Sequence, residues 1–231
     1  MKKMMRSFYL EFSGVAGVGK TTVCNELYKA LCSRNINCSK VNGSKIPFIQ
    51  KCNLKIFLSA IYIAIKAKPK LKYAVLVLKE IKNLYASQIK IEYFKTLPGI
   101  HLSDQGVFQS VGTLYKYSSL KVLPNLWNDK TIKIILIPDL LVTLRAETKT
   151  IIEQRYKRKN LKTNDIKDSD YQYIETIQKR GEKNNNDVKY ILKKCENFNH
   201  ISVWNGGRNE NIADIVNEII NYIIEVRRID L

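Results

Sequence analysis

The residues most able to do chemistry stand together near the amino terminus, in the segment GVAGVGKTT at residues 14–22. Gly14, Gly19, Lys20 and Thr21 satisfy the pattern G-x-x-x-x-G-K-[ST]. Each residue type has a reason. Glycines allow the backbone of Gly14, Val15, Ala16, Gly17, Val18 and Gly19 to turn its N–H groups inward as an anion nest. A helix that starts at Lys20 adds its positive end, with the amides of Lys20, Thr21 and Thr22 facing the same anion. The Lys20 ammonium can reach the β- and γ-phosphates of a nucleoside triphosphate, and the Thr21 hydroxyl can hold magnesium. The competing reading is a glycine-rich turn with a helix-capping threonine. It is outweighed by context, because a buried strand enters the loop and an amphipathic helix leaves it.

Such a loop works only if a sheet and its crossovers hold it. Residues 8–12 read as a buried strand. A helix follows over 20–34, with Val23, Leu27, Ala30 and Leu31 at helical spacing. Further strands are expected at 38–41, 100–104, 140–144 and 201–204. Helices are expected over 53–95 (two, parted near Pro69), 108–120, 125–135, 148–158, 171–195 (interrupted near Gly181) and 212–226. On the first of the pair, Leu54, Phe57, Leu58, Ile61, Tyr62 and Ile65 form a wide apolar face. Residues 159–169 are polar and read as a loop. Strands alternating with long crossovers predict an α/β fold with a mostly parallel five-stranded sheet covered on both sides, and a single domain over 1–231. Ligands then bind at the carboxyl ends of the strands.

Composition limits the alternatives. Lys and Arg number 39 against 21 Asp and Glu, a net charge of +18. That favours anionic partners without choosing among nucleotides, nucleic acid and membrane. Five cysteines, none in C-x-x-C spacing, suggest neither a disulfide framework nor a zinc site and fit a cytoplasmic protein. The longest apolar run, 56–65, is about half the length that spans a bilayer. His101 and His200 read as packed or hydrogen-bonded rather than catalytic, and Trp127 and Trp204 as packing residues. No helix-turn-helix, zinc finger or aromatic-interleaved basic arm is evident, so nucleic acid is a disfavoured partner.

Three further segments decide the kind of phosphate-loop protein: SDQGVFQS at 103–110, PDLLVTLRAETKTIIEQRYKRK at 138–159, and ISVWNGGRNENIADIVNEII at 201–220. With the loop, they make the chain resemble the thymidylate kinase and deoxynucleoside kinase group, over nearly its whole length in element order but with few shared identities. The resemblance implies a three-layer P-loop kinase fold in which 53–95 lines the acceptor side and 155–170 forms a basic lid. It implies that Asp104 orients a magnesium-bound water or takes a proton from the acceptor; a strand-end capping Asp is the alternative. It implies that Arg155 and Arg158 close over the transferred phosphoryl group; a solvated basic helix end is the alternative. It places the loop containing Gly206 and Gly207 near the adenine. Three departures stand out: Gln105 replaces the arginine that follows the acid, Arg145 stands where the family often carries an aspartate, and 41–45 lacks the acid used after the second strand.

The expected activity is therefore magnesium-dependent transfer of the ATP γ-phosphoryl group to a small anionic or polar acceptor, foremost a nucleotide or nucleoside. A sugar or lipid-linked glycan acceptor, or an ATPase switch without a small acceptor, are the alternatives. A homodimer is compatible with this reading. Peripheral membrane contact through 53–95 is compatible too, though core packing of that helix pair is the preferred interpretation.

Overall fold

The computed structural model describes residues 6–47, 52–117, 128–161, 166–206 and 212–227. Five parallel strands run β1 (Phe8–Ser13), β2 (Cys38–Lys40), β3 (Ile100–Ser103), β4 (Leu140–Arg145) and β5 (Asn199–Trp204), in the spatial order β2-β3-β1-β4-β5. The order reverses beside β1, so the crevice at its carboxyl end is the topological switch point where α/β sheets bind ligands.

Alternation along β1 divides the protein into layers. Phe8, Leu10 and Phe12 point to one face and pack with α1 (Lys20–Ser33) and α8 (Ile212–Arg227). Tyr9 and Glu11 point to the other, which is covered by α2 (Leu54–Lys66), α3 (Ala74–Phe94) and α4 (Val107–Lys116). The short α5 (Asp129–Ile134) joins this second layer, while α6 (Thr148–Arg158) and α7 (Asp168–Lys194) connect β4 to β5. Asp139, before β4, accepts from the Tyr9 N–H at 2.7 Å and pairs with Lys95 at 2.8 Å, fastening the start of β1 to its neighbour.

The expected α/β class and the parallel five-stranded sheet are present, and every strand is parallel. Several expectations are corrected. Helix α7 runs without a break through position 181, because one glycine costs a helix only about 1 kcal/mol. The loop expected over 159–169 ends earlier, since α7 begins at Asp168; its residues 162–165, like Trp127 and Gly207, lie outside the described residues. Trp204 is half exposed rather than packed. His101 bonds Ser39 and the Leu97 carbonyl, and His200 bonds Thr143, as packed histidines do. The Cys32 and Cys38 sulfurs lie 3.4 Å apart as free thiols.

The largest correction concerns α2. Four of the six residues read from the sequence as its apolar face point outward, while Ile61 and Tyr62 are half-buried. Ile56, Ala60, Ile63 and Ala64 are buried, whereas Leu54, Phe57, Leu58 and Ile65 are exposed. The helix is apolar around most of its circumference, so periodicity could not say which side the core would take. Among the described residues no helix is long and apolar enough to cross a membrane.

Candidate phosphate-binding site

β1 leads directly into the glycine loop at the switch point. Gly14, Gly17 and Gly19 adopt φ values of 143°, 96° and 94°. Gly17 and Gly19 also have no room for a side chain. A Cβ on Gly17 would lie 2.7 Å from Arg155 Cγ and 2.9 Å from the Ile151 carbonyl oxygen, and one on Gly19 would lie 2.7 Å from Asn205 Nδ2. The loop is thus held between α6 on one side and the end of β5 on the other. Gly19 in the left-handed conformation is the N-cap of α1, so that helix starts at Lys20 with its first amides open.

Lys20 is buried and folds back over the loop, donating to the carbonyls of Gly14 at 2.7 Å and Val15 at 3.2 Å. Burial lowers its pKa to about 8, with Asp104 opposing that shift and Arg158 adding to it. A buried ammonium whose partners are loop carbonyls is poised to exchange them for phosphate oxygens.

Thr21 and Asp104 come together from positions 83 residues apart: the Thr21 hydroxyl donates to Asp104 Oδ2 at 3.0 Å. Asp104 follows β3, and register pairing of β3 with β1 carries it to the loop. These are two hard oxygen donors beside a phosphate nest, the set that suits magnesium when phosphate oxygens and waters complete the shell. Among the described residues no cluster of three His, Cys, Asp or Glu side chains could hold a metal without such help.

The two arginines lie beside the loop. Arg155 lays its aliphatic stem on Gly17 and its guanidinium 5.4 Å from the Tyr173 ring centroid. Arg158 is exposed, yet close enough to Lys20 to lower its pKa. They stand in the last turn of α6, where cations also complement the helix dipole.

Two residues of this region had escaped the sequence reading. Glu11, in the middle of β1, is fully buried. Its carboxyl accepts from the N–H of Val107 at 2.9 Å and of Phe108 at 2.8 Å, both in the first turn of α4. From the strand beneath α4 it therefore supplies acceptors for two of the open amides of that helix's first turn. Burial raises its pKa to about 8, against the lowering effect of the α4 amides and of Lys90. Gly106 is obligatory here, because a Cβ would fall 2.2 Å from Glu11 Oε2. The Ser103–Gly106 turn that carries Asp104 is also tightened by a hydrogen bond from Ser103 Oγ to the Gln105 carbonyl. The only sequence signal was a lone acid inside an apolar strand three residues before the loop. Asn205 is the second. It is buried and donates from Nδ2 to the Val18 carbonyl at 2.9 Å, and its own N–H bonds the Arg145 carbonyl. Its signal was a polar amide closing the last strand.

After β2, where the sequence lacks an acid, Asn42 caps a short 3-10 turn at Gly43–Lys45 by accepting from Ser44 N–H. Gln105 is exposed beside Asp104.

The sequence matches no protein-family model and no curated protein. Solved structures do resemble the chain in fold. A deoxyadenosine kinase from M. mycoides with bound dATP aligns over 94% of this chain and 99% of its own, at 16% identity and a TM-score of 0.50. The same kinase with the products dCMP and a flexible dCDP aligns over 94% and 100%, at 18% identity and a TM-score of 0.49. The chain shares the α/β architecture of these kinases.

Proposed function

We propose that the protein is a phosphotransferase that uses ATP and magnesium to phosphorylate a small acceptor of the nucleoside or nucleotide class. The observation that carries this reading is the convergence of Lys20, Thr21 and Asp104 on a glycine nest at the switch point of the sheet. The fold likeness to a deoxyadenosine kinase supports a nucleoside-type acceptor within that class.

Phosphoryl transfer asks for position and charge neutralisation more than covalent chemistry. In this reading the loop amides from Val15 to Thr22 hold the phosphate oxygens, and Lys20 leaves the carbonyls of Gly14 and Val15 for the β–γ bridge region. Thr21 and Asp104 hold magnesium, which when bound neutralises charge on the β- and γ-phosphate oxygens. The existing bond from Thr21 to Asp104 favours this role for Asp104 over that of a base. Arg155 and Arg158 stabilise the charge on the transferred group. Glu11 does not reach the acceptor, since it is fully buried with both carboxyl oxygens engaged. The departures at Gln105 and after β2 favour an acceptor contact unlike that of thymidylate kinases, so sugars and lipid-linked glycans form a second acceptor class.

The test is ADP release with magnesium across nucleosides, nucleoside monophosphates and sugars, with phosphate gain on the acceptor read by mass. Lys20→Ala is the control and is expected to lose turnover while keeping its fold. Stimulation by one acceptor, abolished in that variant, establishes the activity. ATP hydrolysis that is equal with every acceptor and with none favours a switch ATPase over a kinase.

A further inference from the structure

The outer side of the α2–α3 hairpin has the composition of an interface. Leu71 is 91% exposed and Val75 79%, while Leu54, Leu58, Ile65 and Leu78 are each more than half exposed. These are branched aliphatic side chains, which a soluble surface normally carries singly. Here they follow helical spacing. Leu54, Leu58 and Ile65 stand at i, i+4 and i+11 on the exposed side of α2, and Leu71, Val75 and Leu78 at i, i+4 and i+7 leading into α3. Seven residues join the helices, so the end of α2 lies beside the start of α3.

Lysine dominates the charge of this part of the hairpin. From residue 52 to 79 every charged residue is a lysine: Lys55, Lys66, Lys68, Lys70, Lys72 and Lys79. Four of them cluster at the connection, around Leu71. Two of these lie against tyrosine rings, Lys66 on Tyr62 and Lys72 on Tyr73, which holds their ammonium groups at the surface.

We propose that this hairpin docks on an anionic lipid bilayer, its aliphatic residues entering the headgroup boundary and its lysines resting on the lipid phosphates. The charge pattern decides among occupants. A second copy would crowd the lysines at the connection against their own equivalents, while the hairpin's acids, Glu80 and Glu92, already accept from Asn83 and Asn53. Nucleic acid would use the lysines but leave the aliphatic residues facing water, since it recognises flat aromatic stacking surfaces rather than leucine and valine. An anionic membrane satisfies both halves of the pattern, as interfacial helices with apolar and lysine-bearing sides do. The proposal is independent of the kinase activity and tested without it.

The experiment is flotation of the full chain with vesicles of phosphatidylcholine alone or of phosphatidylcholine with phosphatidylserine, at low and high salt. Three variants accompany the wild type. One carries Leu71→Asp, Val75→Asp and Leu78→Asp; one carries Lys68→Glu, Lys70→Glu and Lys72→Glu; the control carries Lys189→Glu and Lys193→Glu on exposed sites of α7. The expected result is flotation of wild type and control with phosphatidylserine vesicles only, weakened by salt, and a loss of about tenfold or more in both hairpin variants. Circular dichroism confirms that each variant keeps its helix content. The proposal is overturned if the wild type does not float, or if the α7 control loses as much as the hairpin variants, which would assign binding to net charge. It is equally overturned if the aspartate variant only converts a dimer to a monomer in sedimentation, which would assign the face to self-association.

Discussion

Replacing Glu11 with glutamine tests whether a buried carboxyl in β1 sets the position of α4. The carboxyl offers two acceptor oxygens, to Val107 N–H and Phe108 N–H. Glutamine keeps the volume but offers one. Its NH₂ group must face the other amide, donor against donor, in a site closed to water. One unsatisfied buried donor costs about 1–3 kcal/mol, and the stranded NH₂ adds a similar or smaller amount, giving about 2–4 kcal/mol for Glu11→Gln. For a chain of this size that is a fall in Tm of about 4–16 °C. Urea denaturation followed by circular dichroism below pH 4.5, where both the native and the unfolded states hold the Glu11 proton, measures it directly. A change below about 0.5 kcal/mol, the scatter of ordinary surface substitutions, refutes the capping role.

The pH dependence adds a second arm. The native pKa of Glu11 is raised from 4.5 to about 8 by burial. The native state therefore holds this proton where the unfolded chain has lost it. The stability contributed is fully present below pH 4.5 and declines as pH rises through about 8. The stability difference between wild type and Glu11→Gln isolates this group, and it declines over that window by up to about 1.4 kcal/mol per pH unit. A difference that instead grows with pH means that the α4 amides hold Glu11 as an anion.

Three further outcomes are expected. Gly106→Ala drives a methyl to 2.2 Å from Glu11 Oε2 and costs about 1–3 kcal/mol; most of that cost disappears in a Glu11→Ala background, and additive costs in the double-mutant cycle refute the close approach. Gly17→Ala puts a side chain at φ 96° against Arg155 and Ile151, and isothermal titration is expected to show ATP binding weakened by about 5–30-fold, from a conformational cost of about 1–2 kcal/mol. Asp104→Asn lowers kcat by about a hundredfold or more while changing ATP affinity little, and wild-type kinetics in that variant remove Asp104 from the site.

What the sequence disclosed follows from the range of the forces involved. The glycine loop, the strand before it and the helix after it are encoded within the contiguous stretch from Phe8 to Ser33, and all three stand where the pattern puts them. Thr21 and Asp104 were identified singly, one by motif and one by resemblance, and the β1–β3 pairing joins them. Glu11 and Asn205 were not legible because their partners are 96 and 187 residues away, and no local period records a strand carboxyl capping a helix that packs on it. The α2 face was misassigned for a different reason. Periodicity reports the contrast between two sides of a helix, and α2 offers little, so packing against α3 and α5 chose the side.

The brace from Asn205 to the phosphate loop also bears on when the site becomes competent in a growing chain. Its amide bonds the carbonyl of Val18, a residue synthesised 187 positions earlier. At cellular elongation rates that interval is about 10–40 s. During it the loop can have its glycines, its strand and its helix, but one wall is still missing. A nascent chain thus carries the glycine loop well before it acquires the finished cradle, which needs β5 docked beside β4.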